Sequence, residues 1–314
     1  MQSEIRIAPL DGEAVDFTVS GQLRESLGLT PTLVEQALAS VEQRVTAFAA
    51  YNDNTDSDLE LDQYYTIPEI AAYCYDRLLE HVDPQRYSLI EPSAGTGSFF
   101  RLLPPGSIAY DLDPKFPGVQ LADFLQVRVA GDRPKCFIGN PPFGKNSSMA
   151  RRFVNHAAIQ GEIIAFILPR TFRKASTQNT IDRHFHLLHD EILPDRSFMF
   201  RGRMHSVPTL FQIWERRPHV RALLPTATTH PDFAFTTADL ADFAIQRVGA
   251  RAGLVHHDFD RSRRAHYFIR GNVEHVMRLL DFTSVTGNVA GNPSLAKSEI
   301  VELYRAHQSS RRSR

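Results

Sequence analysis

Cysteine is nearly missing from this chain: Cys74 and Cys136 are the two in 314 residues, each in an apolar setting. Two thiols so placed read as buried side chains, not as a disulfide framework or a metal pair, and they suit a reducing compartment. No run of eighteen apolar residues is present, so no stretch is long enough to cross a bilayer as a helix. No basic, then apolar leader of the secretory kind opens the sequence. The histidines His184, His186, His189, His256 and His257 have no metal-binding spacing to carboxylates or cysteines, so no metal is expected. No internal repeat is visible. What remains, 42% hydrophobic and 23% charged residues, is the composition of a globular chain long enough for one large α/β domain with additions.

The net charge of −1 conceals a gradient. Residues 1–100 hold 17 Asp and Glu against 5 Lys and Arg, net −12, while residues 101–200 and 201–314 carry net charges of +4 and +7. A basic second half favours a polyanion as its partner.

Taken in order, residues 4–19 alternate apolar and polar around Asp11-Gly12, which predicts a hairpin. Thr30-Pro31 followed by apolar residues at helical spacing predicts a helix over about 31–50. Residues 1–51 thus read as a hairpin–helix unit, 52–62 as an acidic linker, 63–217 as the main domain, 218–308 as a basic C-terminal region and 309–314 as a disordered tail. In the main domain, strands are expected at Tyr87–Glu91, Ser107–Asp111, Phe137–Gly139, Glu162–Leu168, Asp190–Pro194 and Thr209–Glu215. Helices are expected around Phe99–Leu103, over Met149–Ala158 and over 176–188. Such alternation predicts a doubly wound, mostly parallel sheet with small N- and C-terminal additions. Ligands then bind beyond the carboxyl ends of the strands.

Two stretches at strand ends carry the chemistry. Cys136-Phe137-Ile138-Gly139 runs into Asn140-Pro141-Pro142-Phe143-Gly144, where two prolines fix the backbone and remove two donors. An amide before that rigid corner and a ring after it suit the grip of a planar heterocycle by its exocyclic amine. Upstream lies Glu91-Pro92-Ser93-Ala94-Gly95-Thr96-Gly97-Ser98-Phe99. Its glycines let the backbone approach a ligand closely, and the absence of a following Lys-Ser/Thr argues against a phosphate cradle.

With Asp111-x-Asp113-Pro114, Asp123-Phe124 and a preceding Tyr65-Thr66-x-Pro68, these motifs resemble the S-adenosylmethionine-dependent amino-methyltransferases, chiefly the N6-adenine enzymes whose cofactor motifs come before the catalytic one. The resemblance covers about residues 62–216 and implies a Rossmann-like class I methyltransferase domain. It implies that Glu91 meets the cofactor's ammonium, that Asp111 holds its ribose, and that Asp123 and Phe124 hold and flank its adenine. Thr66 and Pro68 would lie near its methionine carboxylate, with Pro92, Ser93, Gly95, Gly97 and Phe99 shaping the loop. Asn140, Pro141, Pro142 and Phe143 become the catalytic set. Lys145, Arg151, Arg173 and Lys174, together with Arg152 and Arg170, become candidate phosphate contacts. Arg201, Arg203 and the run Arg261-Ser262-Arg263-Arg264 extend that set. The expected substrate is adenine in DNA, flipped out or single-stranded, at a short or weakly specified site. RNA adenine, N4-cytosine, a protein glutamine amide and a nucleic-acid-binding subunit without turnover are the alternatives. The expected location is cytoplasmic, in a bacterial or phage-encoded context.

Overall fold

In the computed structural model, the described residues are the strands at 4–7 and 15–18 and residues 64–312 apart from 290. Strands β1 (Glu4–Ile7) and β2 (Val15–Thr18) pair antiparallel with Ile5 opposite Phe17, the hairpin expected over 4–19. They belong to a compact unit of their own, residues 1–57. The helix expected over 31–50 and the acidic linker lie outside the described residues.

The second unit is organised by one seven-stranded sheet. A two-residue strand β3 (Tyr65–Thr66) leads into α1 (Pro68–Leu79), whose first position is a proline that needs no hydrogen-bond partner there. The sheet strands follow as β4 (Ser88–Glu91), β5 (Ile108–Asp111), β6 (Gln120–Leu121) and β7 (Lys135–Gly139). Next come α2 (Ser148–Gln160), β8 (Ile163–Pro169) and the short α3 (Ala175–Gln178). Then come β9 (Phe185–Ile192), the hairpin strands β10 (Phe198–Phe200) and β11 (Arg203–His205), and β12 (Thr209–Arg216).

In space the order is β6-β5-β4-β7-β8-β12-β9. The first five strands are parallel, and β12 runs antiparallel to both of its neighbours. This is the doubly wound, mostly parallel, Rossmann-like architecture expected from the sequence. The chain steps outward from β4 to β6, then returns to build β7 and β8 on the other side of β4. The strand order therefore reverses between β4 and β7, and a crevice opens there at the carboxyl ends.

The apolar strands have two covered faces. Ile163, Ala165 and Ile167 of β8 join Cys136 and Ile138 of β7 under α1, where Ala71, Cys74 and Leu78 meet them. Ile164, Phe166 and Leu168 join Phe137 under α2, against Phe153 and Val154. Alternate residues thus serve opposite cores, and the strand reads as a continuous apolar run. Both cysteines are free and fully buried, and burial raises the pKa of each thiol. No helix among the described residues is long and apolar enough to cross a membrane.

Several sequence expectations are corrected. The helix expected around Phe99–Leu103 is a single 3-10 turn, Phe100–Leu102. The helix expected over 176–188 stops at Gln178, and β9 begins at Phe185, ahead of the expected Asp190. Pairing with β12 along seven positions outweighs the local helical spacing. The tail expected from 309 onward is helical as far as Arg312, because it continues the last helix.

The C-terminal region forms a four-stranded antiparallel sheet in the order β13-β16-β14-β15. Its strands are β13 (Ala234–Thr236), β14 (Phe243–Gln246), β15 (Val255–His256) and β16 (His266–Arg270). Short helices α4 (Glu274–Met277) and α5 (Thr283–Thr286) and the long α6 (Lys297–Arg312) accompany it. Phe243, Ile245, Ile269, Met277, Ile300 and Tyr304 belong to its core. Arg221 fastens the intervening segment to the main sheet through the carbonyls of Phe185, Gln178 and Ile181.

Beneath that junction runs a polar chain. Arg173 pairs with Asp190 at 2.7 Å, Asp190 accepts from the fully buried Gln212, and Gln212 accepts from the indole of Trp214. Asp190→Ala removes the acceptor for two donors and should cost about 1–3 kcal/mol. Trp214 is the one tryptophan and 1% exposed, so its fluorescence reports the transition in a denaturant titration. An unchanged midpoint would contradict this role.

Candidate active site

One half of the candidate site grows from the end of β4. Glu91 is 2% exposed, and its Oε2 is a buried oxygen with no hydrogen-bond partner. Burial holds its carboxyl well above the usual carboxylate range, against the pull of the Phe100 and Phe99 backbone N–H groups and of Arg101. The loop that follows turns through Gly95 at φ +48° and Gly97 at φ +74°. A Cβ on Gly95 would stand 2.7 Å from the Tyr65 ring, and one on Gly97 would stand 2.4 Å from Cγ of Phe116. Both positions need glycine for conformation and for space.

That loop is tied to the strand beside it. Gly95 N donates to Asp111 Oδ2 at 2.7 Å, and Asp113 N donates to Asp111 Oδ1 at 2.8 Å. The carboxylate at the end of β5 is thereby fixed, and each oxygen keeps a lone pair that can accept a hydroxyl. Burial raises the Asp111 pKa, and those two N–H groups limit the rise. Asp113 itself pairs with Lys115 at 3.6 Å. Ser98 Oγ donates to Thr66 O at 2.6 Å, which joins β3 to the loop, while Thr66 Oγ1 is buried without a partner. Pro92 is buried, and Pro68 opens α1 directly after the strand that carries Thr66.

The other half grows from β7. A Cβ at Gly139 would come 3.3 Å from Cγ of Glu91, so the two strand ends lie close together. Ser93 Oγ donates to Asn140 O at 3.0 Å and links the two loops across the crevice. Asn140 Nδ2 donates to Tyr64 O at 3.0 Å, whereas its Oδ1 is buried and accepts nothing. Pro141 is buried, Pro142 exposed, and the half-buried Phe143 packs against both cores. Beyond Phe143 the backbone is left-handed at Gly144, Asn146 and Ser147, and Ser147 Oγ lies 2.7 Å from Thr171 Oγ1 of the segment after β8.

Among the described residues, eight buried side-chain nitrogen or oxygen atoms lack a partner. Three of them, Thr66 Oγ1, Glu91 Oε2 and Asn140 Oδ1, belong to this one place. Buried polar groups are normally satisfied within the protein, so their gathering here fits a ligand that carries donors.

Other expected residues lie elsewhere or are already engaged. Phe99 is 1% exposed in the core beneath α1. Phe124, also 1% exposed, packs on Phe137, Phe153 and His156, so its ring is part of the core. Asp123 caps the turn that contains Phe124 through a 3.0 Å bond to Leu125 N. Arg173 is held by Asp190 and Lys174 by Glu299 of α6 at 3.3 Å, so both bind the protein to itself. Lys145 is exposed, and Arg151 lines an open groove along α2 with Arg152 and Asn155.

The sequence reading missed the hairpin β10–β11. Its turn, Arg201-Gly202, has φ +48° and +67°, and β10 pairs with β3, placing Met199 opposite Tyr65. Phe200 stacks on Tyr64 at 4.9 Å, His205 meets both rings, and Arg201 lies over Phe200. An aromatic cluster with a basic tip thus adjoins the residue whose carbonyl anchors Asn140. The signal was the Arg-Gly turn between Phe198-Met199-Phe200 and Met204-His205, which is short for a hairpin.

No protein-family model matches this chain, and no curated protein matches it in sequence. Its fold is similar in part to three solved structures. A Pyrococcus horikoshii protein described as an RNA methyltransferase shares 15% identity at a TM-score of 0.42, over 56% of this chain and 98% of its own. The 23S rRNA methyltransferase ErmE shares 17% identity at 0.37, over 53% and 74%. A Thermoplasma acidophilum protein shares 19% identity at 0.36, over 49% and 88%.

The Glu91 carboxyl makes a pH prediction. A carboxyl whose pKa is raised by folding stabilises the protein fully below its unfolded pKa, and that stability is lost as pH rises through the folded value. Glu91→Gln cannot ionise. Its melting temperature should match that of the wild type near pH 4 and exceed it increasingly above about pH 5. Parallel melting curves across that range would contradict the assignment.

Proposed function

We propose that this protein transfers a methyl group from S-adenosylmethionine to the N6 amine of an unpaired adenine in a nucleic acid. The observation that carries this reading is the state of Asn140. Its amide nitrogen is committed to Tyr64 O while its oxygen is buried and unused, at the crevice where strand order reverses. The amide cannot turn without losing that bond, so the site presents an acceptor and waits for a donor. An exocyclic amine supplies one.

The residues present fit the cofactor. The Asp111 carboxylate suits vicinal hydroxyls, and the buried Glu91 Oε2 and Thr66 Oγ1 suit an ammonium and a carboxylate. Asp123 is the candidate acceptor for the adenine amine. When bound, the cofactor supplies an electrophilic methyl on a sulfonium.

The protein's own contribution is to the nucleophile. The lone pair of an aromatic amine is delocalised into its ring. Asn140 Oδ1 and the Pro141 carbonyl receive the two N–H groups, which favours a pyramidal nitrogen with a localised lone pair. The same two oxygens stabilise the positive charge that develops on nitrogen, so positioning and electrostatics do most of the work. Both prolines keep that corner rigid. Phe143, with the Tyr64–Phe200 pair beside Asn140, offers flat apolar surface to a base outside its stack.

Asn140→Ala should retain cofactor binding by calorimetry and lose turnover by roughly a hundredfold or more. Asp111→Ala should weaken cofactor binding first. Labelled cofactor is incubated with single- and double-stranded DNA, RNA and protein, and the modified nucleoside or residue is identified by mass spectrometry. N6-methyladenine from one nucleic acid supports the reading and names the polymer. Label on glutamine, or near-normal turnover by Asn140→Ala, would contradict it.

A further inference from the structure

Arg170 is the first residue beyond β8. Its backbone N donates to Pro208 O at 3.3 Å, which fixes it between the end of β8 and the approach to β12. Its neighbour Thr171 shares the 2.7 Å hydrogen bond with Ser147 that joins this segment to the loop after Phe143. Since β8 lies directly beside β7, with Phe166 opposite Gly139, Arg170 stands one strand over from Asn140 at the same edge of the sheet.

Its side chain is unlike those of the other cations nearby. The Arg170 Nε is buried and has no hydrogen-bond partner, and among the described residues no carboxylate pairs with the guanidinium. Arg173 and Lys174, a few residues on, are matched to Asp190 and Glu299. Arg170 as a whole is half-buried, and its guanidinium keeps its charge there. A buried donor with no acceptor is costly, and a ligand that completes it explains its retention. The group that best completes a charged fork is an anion with planar or tetrahedral oxygen acceptors, since a guanidinium matches those two geometries.

The strand order says which side of the reaction that anion belongs to. Asp111 and Glu91 end β5 and β4, on one side of Asn140, and Arg170 ends β8, on the other. The methyl donor's polar groups are met on the first side, leaving Arg170 to the amine's carrier.

We propose that Arg170 binds a phosphodiester of the nucleic acid next to the nucleotide whose base reaches Asn140. This assignment rests on the reading given under Proposed function. It makes Arg170 a substrate-binding residue that fixes the backbone while the base leaves its stack.

The test is R170M, which keeps an unbranched stem and removes the charge, measured on the full chain with fluorescein-labelled single-stranded DNA and RNA oligonucleotides of about 20 nucleotides. R170M should melt no lower than the wild type, because it loses no internal partner. Its affinity for S-adenosylmethionine should stay within about twofold, and its oligonucleotide affinity should fall about tenfold. The slope of log affinity against log salt should shrink by about 0.7, the value for one phosphate of a single strand. R170K should recover the slope but not the full affinity, since an ammonium lacks the fork.

Wild-type affinity and slope in R170M, with the wild type binding and methylating normally, would overturn this assignment alone. Loss of cofactor affinity would move the anion to the methyl donor and overturn it as well. A destabilised or insoluble R170M would show that the guanidinium holds the fold, which an unpartnered group cannot do. A wild type that binds neither oligonucleotide would overturn both this assignment and the functional reading beneath it.

Discussion

The reversal of strand order between β4 and β7 leaves two loops facing each other with no helix between them. One carries Glu91 through Gly97, the other Asn140 through Phe143. They come together because β4 and β7 are paired neighbours, with no Cβ at Gly139 to crowd Glu91, and because Ser93 donates to Asn140 O. No side chain larger than hydrogen fits at Gly139 without pressing on Glu91. Everything proposed for this protein depends on that contact, since it sets a methyl-donor site and an amine site on one crevice.

Around the crevice the protein leaves part of its polar chemistry unfinished. Asp111 is tied down by two backbone N–H groups yet keeps accepting capacity, while Glu91, Thr66 and Asn140 each bury an atom with no partner. Each such atom weakens the protein in isolation. Their concentration at one strand edge, with the left-handed backbone of Gly144–Ser147 next to it, is the pattern in which binding energy completes what folding leaves open. Beneath the outer strands, two polar connections close on themselves. The chain from Arg173 to Trp214 and the bond from Lys174 to Glu299 have both ends satisfied, and they join the outer strands and the C-terminal helix to the sheet.

What could be read from the sequence follows from how local each feature is. Strand β8 was legible because all seven of its residues are buried on a two-faced sheet, which gives an unbroken apolar run. The Gly95 and Asn140 loops were legible because proline and glycine at fixed spacing admit few backbones. Strand β9 was legible only at its end, from Asp190, since it borders only β12 and its side chains are mostly half-exposed, so its first half could pass for helix. Phe124 sits beside Asp123 in a motif and looked like a ring for stacking. Only the fold shows that Phe137, Phe153 and His156 surround it. Arg173 and Lys174 looked free because the carboxylates that take them lie far along the chain. The partnerless state of Arg170 was hidden for the same reason.

The central claim, that one crevice holds the methyl donor against an unsatisfied Asn140, is tested most directly by a crystal structure of the protein with S-adenosylhomocysteine. The account predicts the ribose hydroxyls on the Asp111 carboxylate, the amino group beside Glu91, and Asn140 Oδ1 still without a protein donor on the sulfur's side of the crevice. A ligand bound away from Asp111, or an Asn140 Oδ1 that accepts from the protein's own backbone or side chains, would contradict it.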